Sequence, residues 1–232
     1  TAKKLVIEVD IRNSTAMREA IMRHGIYPAG QTINQHLSAD ASAQLRQALR
    51  RYDTSFESIS RMKPWMVANL LLVQEMARQG FPTEQGIELH FLSLAEKQKK
   101  IVQELETADY QLSLFDSMSD AEQEEYLVEN LTELANGTAM KKALDLIKAW
   151  QIADARALDA ALQEMQKGEN ASDRFLQKVL LDQRNPAMAK QVETLLKTDK
   201  HSFVAVGALH LLGAQGVPGL LRQAGYKVDK LY

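Results

Sequence analysis

A glycine and a histidine three residues apart, Gly207 and His210, follow an apolar segment near the C-terminus. The segment, 202–206, has the composition of a short buried strand, and His210 stands where the chain turns from that strand towards a helix. Open α/β folds place ligands at the carboxyl ends of their strands. An imidazole there can bind a metal ion or act as a general base. The alternative is a helix-capping or hydrogen-bonded structural histidine.

Glu8 is a carboxylate inside a second apolar segment, Leu5–Val9, which also predicts a strand. Because an unpaired charge is costly to bury, we expect Glu8 to be paired, to bind a metal ion or to lie at the exposed end of its strand. The alternative is that this strand is at the edge of a sheet and that Glu8 faces solvent.

Two further charged residues, Glu106 and Arg184, are candidates for the same edge of the sheet. Glu106 ends a predicted strand over 100–106, and Arg184 precedes Asn185 and Pro186, which predict a helix N-cap and first helical position. A cation such as Arg184 can stabilise a carboxylate or an oxyanion. The alternatives are a surface carboxylate near a helix N-terminus and an ordinary exposed arginine.

A second histidine, His90, shares a predicted helical face with Ile87, Phe91 and Leu94. That arrangement favours a partly buried structural histidine over a catalytic one.

Composition and missing motifs exclude several classes of function. The 28 basic residues are scattered among 30 acidic ones, so we expect no nucleic-acid partner. The absence of cysteine excludes disulfides, cysteine-type zinc sites and a thiol nucleophile. No apolar run approaches the roughly 18 residues of a membrane span. The sequence contains no phosphate loop, dinucleotide fingerprint, zincin motif or nucleophile elbow, which disfavours nucleotide-dependent chemistry and classical serine hydrolysis.

Helices dominate the predicted elements, and the strands are few and widely spaced. Strands are predicted at 5–9, 100–106, 202–206 and 226–229, and helices at 38–52, 56–62, 64–79, 86–99, 119–135, 139–151, 153–166, 171–181, 185–197 and 215–224. We therefore predict a helix-rich α/β fold with a small, mostly parallel central sheet. The predicted organisation is one domain, 1–232, with a helical insertion at roughly 11–197. The start at Thr1 without a methionine suggests a processed, engineered or truncated chain.

Short segments along the chain, in their order and spacing, resemble the TraB/GumN family, which is related to the Tiki proteins. The matching segments are Leu5–Asp10, Met62–Trp65, Gly86–Glu88, Val102–Thr107 with Gln111 and Leu112, Arg184–Ala189 and Phe203–Gly213. The resemblance covers nearly the whole chain.

The resemblance implies a small sheet that carries two Gly-x-x-His motifs with an acidic residue and an arginine nearby. In the Tiki branch this arrangement is associated with metal-dependent proteolysis. On matching positions, Gly207 and His210 form the second motif, Glu8 is the acidic site residue, and Glu106 and Arg184 line the same pocket.

The resemblance also implies roles for these residues. Glu8 and His210 would bind a divalent metal ion (Mn, Co or Zn), and both would be catalytic together with Arg184 and Glu106. Further pocket residues, besides Gly207, would be Asn185, Glu88 and His90.

The chain departs from the family pattern in two places. The first Gly-x-x-His motif of the family lies on a strand upstream of the segment that Leu5 begins, and no such motif precedes Leu5 here. A catalytic metal usually has about three protein ligands, so this chain carries half of the implied site. Glu88 stands where the family usually has an aspartate.

Three functions are compatible with these residues. The first is a metal-dependent hydrolase, peptidase-like, with its pocket at the carboxyl ends of the strands. The second is a non-catalytic protein of the same fold that binds a peptide or a small molecule, and a weaker third is a haem- or metal-handling protein. A periplasmic or secreted location fits the resemblance, and the sequence fixes neither the substrate nor the oligomeric state.

Overall fold

The structure, a computed structural model, describes residues 2–198 and 201–231. Its strands are β1 (Lys4–Ile7), β2 (Ile101–Glu104) and β3 (Ser202–Ala205). Its α-helices are α1 (Ser14–Ala20), α2 (Ala39–Arg51), α3 (Phe56–Ile59), α4 (Pro64–Arg78), α5 (Ile87–Lys97), α6 (Ala108–Asp116), α7 (Asp120–Asn136), α8 (Thr138–Gln151), α9 (Ala155–Lys167), α10 (Ala171–Phe175), α11 (Arg184–Thr198) and α12 (Val217–Gln223). Within these described residues, no helix is both long and apolar enough to cross a membrane.

The helix-rich α/β class is confirmed, and the chain divides into two compact units. The sheet unit contains Thr1–Asp10, Ile87–Thr107 and Ala143–Tyr232, and the helical unit contains Ile11–Gly86 and Ala108–Lys142. The single domain with an insertion over roughly 11–197 stays a prediction.

The sheet has the strand order β2-β1-β3, and both pairs of strands are parallel. Lys4 lies opposite Ile101 and Ser202, and Ile7 lies opposite Glu104 and Ala205. The carboxyl ends of all three strands therefore meet at one edge of the sheet. Because β1 is the central strand, the alternative that Glu8 faces solvent from an edge strand is wrong.

Both faces of β1 are buried, which explains its nearly continuous apolar sequence. Leu5 and Ile7 face α5, where they pack with Leu92 and Ala95. Val6 points to the opposite face and joins a cluster with α11 and α12. Successive side chains of a strand alternate between its faces, so this short strand connects the two helical layers of the sheet unit.

The predicted fourth strand, 226–229, is wrong, because the chain there has no regular secondary structure. Tyr226 and Val228 pack against the cluster of Val6, α11 and α12. Their alternation with Lys227 and Asp229 reflects two side chains that face a core, and it does not require hydrogen bonds to a neighbouring strand.

The predicted N-cap role of Asn185 is also wrong, because Asn185 is the second residue of α11. A π-helical segment, Leu176–Gln183, runs directly into this helix. A proline inside a helix has no N–H to donate to the carbonyl four residues earlier, so one hydrogen bond of the helix is missing. In a π-helical turn the N–H instead bonds the carbonyl five residues earlier. The π segment ends shortly before Pro186 and so allows the helix to continue through it.

Predicted helix boundaries are confirmed where the local signal is strong, and other predicted helices differ in length from those observed. Ser119 and Glu122 form the predicted capping box at the start of α7: the Glu122 N–H donates to Ser119 Oγ (3.3 Å) and the Ser119 N–H donates to Glu122 Oε2 (2.8 Å). The helix α3 is shorter than the predicted 56–62, and the predicted helix 171–181 is α10 followed by the π segment.

Candidate functional site

The carboxyl edge of the sheet carries a group of charged side chains. Glu8 follows β1 directly, Glu106 lies two residues after β2, and Gly207 lies two residues after β3. Arg184, the first residue of α11, points at this edge from the helical layer. The structure thus brings together residues that are up to 199 positions apart in the sequence.

Arg184 binds both carboxylates. Its Nε donates to Glu106 Oε1 (3.1 Å) and Oε2 (2.9 Å), and its Nη2 donates to Glu106 Oε2 (2.7 Å) and Glu8 Oε2 (2.6 Å). The side chains of Arg184, Glu106 and Glu8 are 7%, 3% and 24% exposed. Both sequence-based alternatives, a surface carboxylate for Glu106 and an exposed arginine for Arg184, are therefore wrong.

The electrostatics of this group keep Arg184 charged. Burial by itself lowers the pKa of the guanidinium, but the hydrogen bonds and negative charges of Glu106 and Glu8 outweigh that effect and raise the pKa of Arg184 above its usual value. A charged pair is retained in a buried place only when each partner is hydrogen-bonded. Glu8 is the member with access to solvent, so it is the carboxylate that a ligand can reach.

The second oxygen of Glu8 is held by the Gly-x-x-His motif. The Gly207 N–H donates a hydrogen bond to Glu8 Oε1, with 2.5 Å between the nitrogen and the oxygen. A Cβ at position 207 would lie 3.3 Å from the same oxygen, so a side chain would crowd the carboxylate. The glycine of the motif therefore allows the backbone to approach Glu8.

The histidine of the motif is oriented by Asn185. His210 lies on a 3₁₀ turn, Ala208–Leu211, and its Nδ1 is 2.6 Å from Asn185 Oδ1. Asn185 Nδ2 donates to the carbonyl oxygen of Gln215 (2.9 Å), which assigns the orientation of the amide. Since Asn185 Oδ1 can only accept, Nδ1 of His210 must carry the proton. Nε2 of the neutral ring is then unprotonated and lies 4.0 Å from Glu8 Oε1.

The neutral form of His210 is favoured in the fold. Burial lowers the pKa of the imidazole, the negative charge of Glu8 opposes this, and the positive charge of Arg184 adds to it, so that the pKa lies below its usual value. His210 therefore presents a lone pair at neutral pH, which is the form that binds a metal ion or accepts a proton.

The tautomer of His210 gives a direct test of this geometry. In the wild-type protein, ¹⁵N NMR of the imidazole ring is expected to show a proton on Nδ1. In Asn185→Leu, which has no side-chain acceptor, that preference is expected to be lost because nothing then selects Nδ1–H over Nε2–H. The exposed His201 is the control and should be the same in both proteins. A wild-type ring protonated on Nε2 would contradict the assignment.

The lowered pKa of His210 also predicts a pH dependence of stability. Below about pH 6.5 the unfolded chain takes up a proton that the folded chain does not, so the free energy of unfolding should fall as the pH falls through that value. In His210→Gln this fall should be smaller. Urea unfolding at about pH 7.5 and about pH 5.5 measures it, with His201→Gln as control. An equal fall in wild type and His210→Gln would refute the prediction.

The donor chemistry at this edge suits a divalent metal ion, but the donor number does not. An imidazole nitrogen and a carboxylate oxygen are ordinary zinc ligands, whereas about three protein ligands are expected in a catalytic site. Their separation of 4.0 Å exceeds the roughly 3.4 Å between neighbouring ligands of a tetrahedral ion. Across residues 2–198 and 201–231, no group of three or more histidine, aspartate or glutamate side chains is placed to hold a metal ion. Glu8 and His210 therefore offer part of a metal site.

Glu88 and His90 are surface residues of α5. Both are exposed on α5, and the ring of His90 contacts Phe91 at 5.8 Å between centroids. Neither takes part in the hydrogen-bonded group of Glu8, Glu106, Arg184 and His210 described above. The expectation of a partly buried His90 is wrong because α5 buries Leu92 and Ala95 and leaves the side with His90 in solvent.

Sequence reasoning missed the part that Asn185 and the loop after His210 play together. Asn185, Leu209, Leu212 and Gln215 line a cavity of about 340 Å³ that also takes in residues of α9 and of the π segment. No local signal in the sequence could have found this, because Asn185 meets His210 and Gln215 across 25 and 30 positions of the chain.

The chain matches the TraB/PrgY/gumN family model over residues 1–230. It is 25% identical over 221 residues to the "Uncharacterized protein YbaP" of Escherichia coli (strain K12), a match that covers 95% of this chain and 77% of that protein. The protein of the same description from Shigella flexneri matches equally. Over 59 residues the chain is 41% identical to "Metalloprotease TIKI2" of Danio rerio, which covers 25% of this chain and 11% of that protein. No solved structure matches the chain.

Proposed function

The chain belongs to the TraB/PrgY/gumN family, and from that membership we propose that it is a peptidase-like hydrolase that acts at the carboxyl edge of its sheet. The local similarity to a protein named as a metalloprotease supports this class of reaction. The reacting groups in the proposal are Glu8 and His210, with Arg184 and Glu106 as their charged support.

The observation that carries the proposal is the charged cluster of Glu8, Glu106 and Arg184, which is buried on one side and reaches solvent at Glu8. Replacing a buried ion pair by apolar residues is often neutral or stabilising, so such a cluster is weak support for stability. Titratable groups with shifted pKa values at a strand edge are typical of functional sites. In this cluster Glu106 and Arg184 are buried, whereas Glu8 faces outwards beside the free Nε2 of His210.

The residues have distinct tasks in the proposed reaction. His210 Nε2 carries the one available lone pair of the ring, so it either accepts a proton from the attacking water, with Glu8 Oε1, 4.0 Å away, stabilising the imidazolium that forms, or it binds a metal ion. Asn185 holds the ring in the tautomer that leaves Nε2 free. Arg184 uses Nε and Nη2 for the two glutamates, so its positive charge holds Glu8 in place and acts from within the site on a developing negative charge.

A divalent metal ion belongs to the proposal as a cofactor. Such an ion would polarise the substrate carbonyl and lower the pKa of a bound water. Glu8 and His210 would hold it from this chain, and at least one further ligand is needed besides these two.

The competing function is a ligand-binding protein of the same fold that carries out no reaction. The cavity beside Asn185, with its mixture of leucine and glutamine side chains, would suit a peptide or a small polar molecule. A binding protein differs from the hydrolase in one measurable way, because it would release a bound peptide intact.

The test is peptide cleavage by the purified protein. A peptide library is incubated with the protein and Mn²⁺, Co²⁺ or Zn²⁺, and products are identified by mass spectrometry. The proposal expects cleavage with at least one cation and its loss with a chelator. Peptides that bind without being cleaved under any cation would support the binding protein instead.

A further inference from the structure

The cavity beside Asn185 is built from residues of the sheet unit. Its volume of about 340 Å³ lies at the lower end of the roughly 300–1,000 Å³ that small-molecule sites occupy. The π segment and the loop that follows β3 supply two of its walls. The helix α9 supplies another wall, with residues at the spacing of a single helical face: Asp159, Leu162, Gln163 and Gln166.

Leucine side chains form the apolar part of this cavity. They come from α9, from the π segment and from the chain after β3: Leu162, Leu181, Leu209 and Leu212. Leu162 and Leu181 are buried, and the other two are partly buried. Because apolar walls of this kind gain free energy when they cover apolar surface, they favour a ligand with an aliphatic chain.

The polar atoms of the cavity favour a ligand that donates hydrogen bonds. Gln177 Nε2 donates to Asp182 Oδ1, with 2.6 Å between the two atoms, which assigns the orientation of the amide. Gln177 Oε1 is then a buried acceptor, and it has no hydrogen-bond partner among the residues that the structure describes. A buried acceptor in this state is costly, so a donor on a bound ligand would stabilise it.

The charge at the cavity is negative. Asp159 is the one charged side chain among the lining residues that the structure describes, and its carboxylate can only accept hydrogen bonds. Asp182 adds a second carboxylate beside Gln177. A cleft with charges of one sign attracts ligands of the opposite sign, so this cavity favours a cation.

From these three features we propose that the cavity binds an alkyl chain that ends in an ammonium group, as a lysine side chain or a free alkylamine does. The alkyl chain lies along the leucines, and the N–H groups of the cation donate to Asp159 and to Gln177 Oε1. An ammonium group has donors and no acceptor, which matches two partners that can only accept.

Two other kinds of ligand fit less well. An alkyl chain that ends in a carboxylate would bring a negative charge towards Asp159, which like-charge repulsion disfavours. A wholly apolar ligand would cover the leucines but would leave Gln177 Oε1 without a donor.

Asn185 connects this cavity with His210. Asn185 lines the cavity, and its Oδ1 lies 2.6 Å from His210 Nδ1. Its Nδ2 donates to the carbonyl oxygen of Gln215, which is another lining residue. A ligand in the cavity therefore changes the surroundings of the amide that holds the imidazole ring, and the ¹⁵N resonances of His210 should report it. The inference holds for the hydrolase and for the binding protein alike, because binding is measured apart from cleavage.

The experiment is a titration of the protein with N-acetyl-lysine N-methylamide at neutral pH, followed by calorimetry and by ¹⁵N NMR of the histidine rings. The matched ligand is the norleucine derivative, which has the same alkyl chain without the ammonium group. We expect the lysine derivative to bind at least about tenfold more tightly. It should shift the ¹⁵N resonances of His210 and leave those of the exposed His201 unchanged.

Pentylamine separates the two sources of the cation, because it has the alkyl chain and the ammonium group without a peptide backbone. Binding as tight as that of the lysine derivative would assign the site to free amines. Weaker binding would assign it to the lysine side chains of peptides. Both results agree with the inference.

Two variants locate the cation in the cavity. Asp159→Asn removes the charge, keeps the shape of the side chain and should weaken binding of the lysine derivative about threefold to fivefold, as expected for an exposed ion pair. Gln177→Met removes the buried acceptor and should weaken this binding about twofold to tenfold. Glu164→Gln is the control, because Glu164 is exposed on α9 about 140° around the helix from Asp159, and its effect should stay below about twofold. Thermal unfolding confirms that each variant is folded.

Any of three results would overturn the inference. The lysine derivative could bind no more tightly than the norleucine derivative. It could bind without any change in the resonances of His210, which would place it outside this cavity. Asp159→Asn and Glu164→Gln could weaken its binding equally, which would assign the attraction to the general surface charge of the protein.

Discussion

Replacing Arg184 with methionine is expected to lower the free energy of unfolding by about 3–5 kcal/mol. The substitution keeps an unbranched side chain of similar reach but removes the cation that binds both Glu106 and Glu8. Glu106, with its side chain 3% exposed, then loses the cation that binds both of its carboxylate oxygens. Urea unfolding at neutral pH measures the loss.

Two further variants separate the charge from the packing. Arg184→Met combined with Glu106→Gln removes both members of the pair and should recover a large part of the lost stability, because the buried negative charge is then removed together with the cation that bound it. Arg222→Met, at an exposed arginine of α12, should change the stability by less than about 0.5 kcal/mol. A loss below about 1 kcal/mol in Arg184→Met would contradict the buried cluster.

Glu8→Gln is expected to lower kcat/KM for peptide hydrolysis by about 10²- to 10⁴-fold. Glutamine has nearly the shape of glutamate and can still accept the Gly207 N–H, so the strand end should keep its structure. The variant loses the negative charge that lies 4.0 Å from His210 Nε2 and the carboxylate oxygen that could bind a metal ion. Initial rates on the best peptide of the library measure the effect.

Glu164→Gln and His201→Gln are suitable controls for that experiment. Both residues are exposed in the sheet unit, Glu164 on α9 and His201 just before the start of β3, and both substitutions have the same chemistry as those at the centre. Their rates should stay within about twofold of the wild type. Equal losses in Glu8→Gln and in the controls would show that the charge of Glu8 has no special part in the reaction.

The placement of Glu8 and His210 could be predicted from the sequence because both signals are local. Each residue stands in or just after a short apolar run, and parallel strands bring their carboxyl ends to the same edge. Glu106 followed from the same rule. The sequence could not show that Arg184 joins these carboxylates, because that contact spans 78 residues to Glu106 and 176 to Glu8. The family resemblance supplied this grouping as an expectation, and the structure shows the contacts.

The prediction for His90 was wrong because the sequence of α5 allows either of two sides of the helix to be the buried one. The helix α5 has apolar residues on several sides, and Ile87, Phe91 and Leu94 form as good a stripe as Leu92 and Ala95. The side that is buried is decided by Leu5 and Ile7 of β1, which come from a distant part of the chain. The exposed His90 follows from that choice.

Asn185 shows the same limit at the level of one side chain. An asparagine before a proline is a common N-cap, and the local pattern predicted that role. In the fold its amide bridges His210 and the carbonyl of Gln215, 25 and 30 residues further along the chain. This role depends on the loop that follows β3, because both hydrogen-bond partners of the amide, His210 and Gln215, lie in that loop.

The most direct test of the proposed hydrolase compares peptide cleavage by wild-type protein and by His210→Gln, side by side, in the divalent cation that gives the highest rate. We expect cleavage by the wild type and a loss of about 10²-fold or more in the variant, while both proteins stay folded at neutral pH. The proposal would be contradicted by equal cleavage in the two proteins, or by a wild-type protein that cleaves no peptide with any cation.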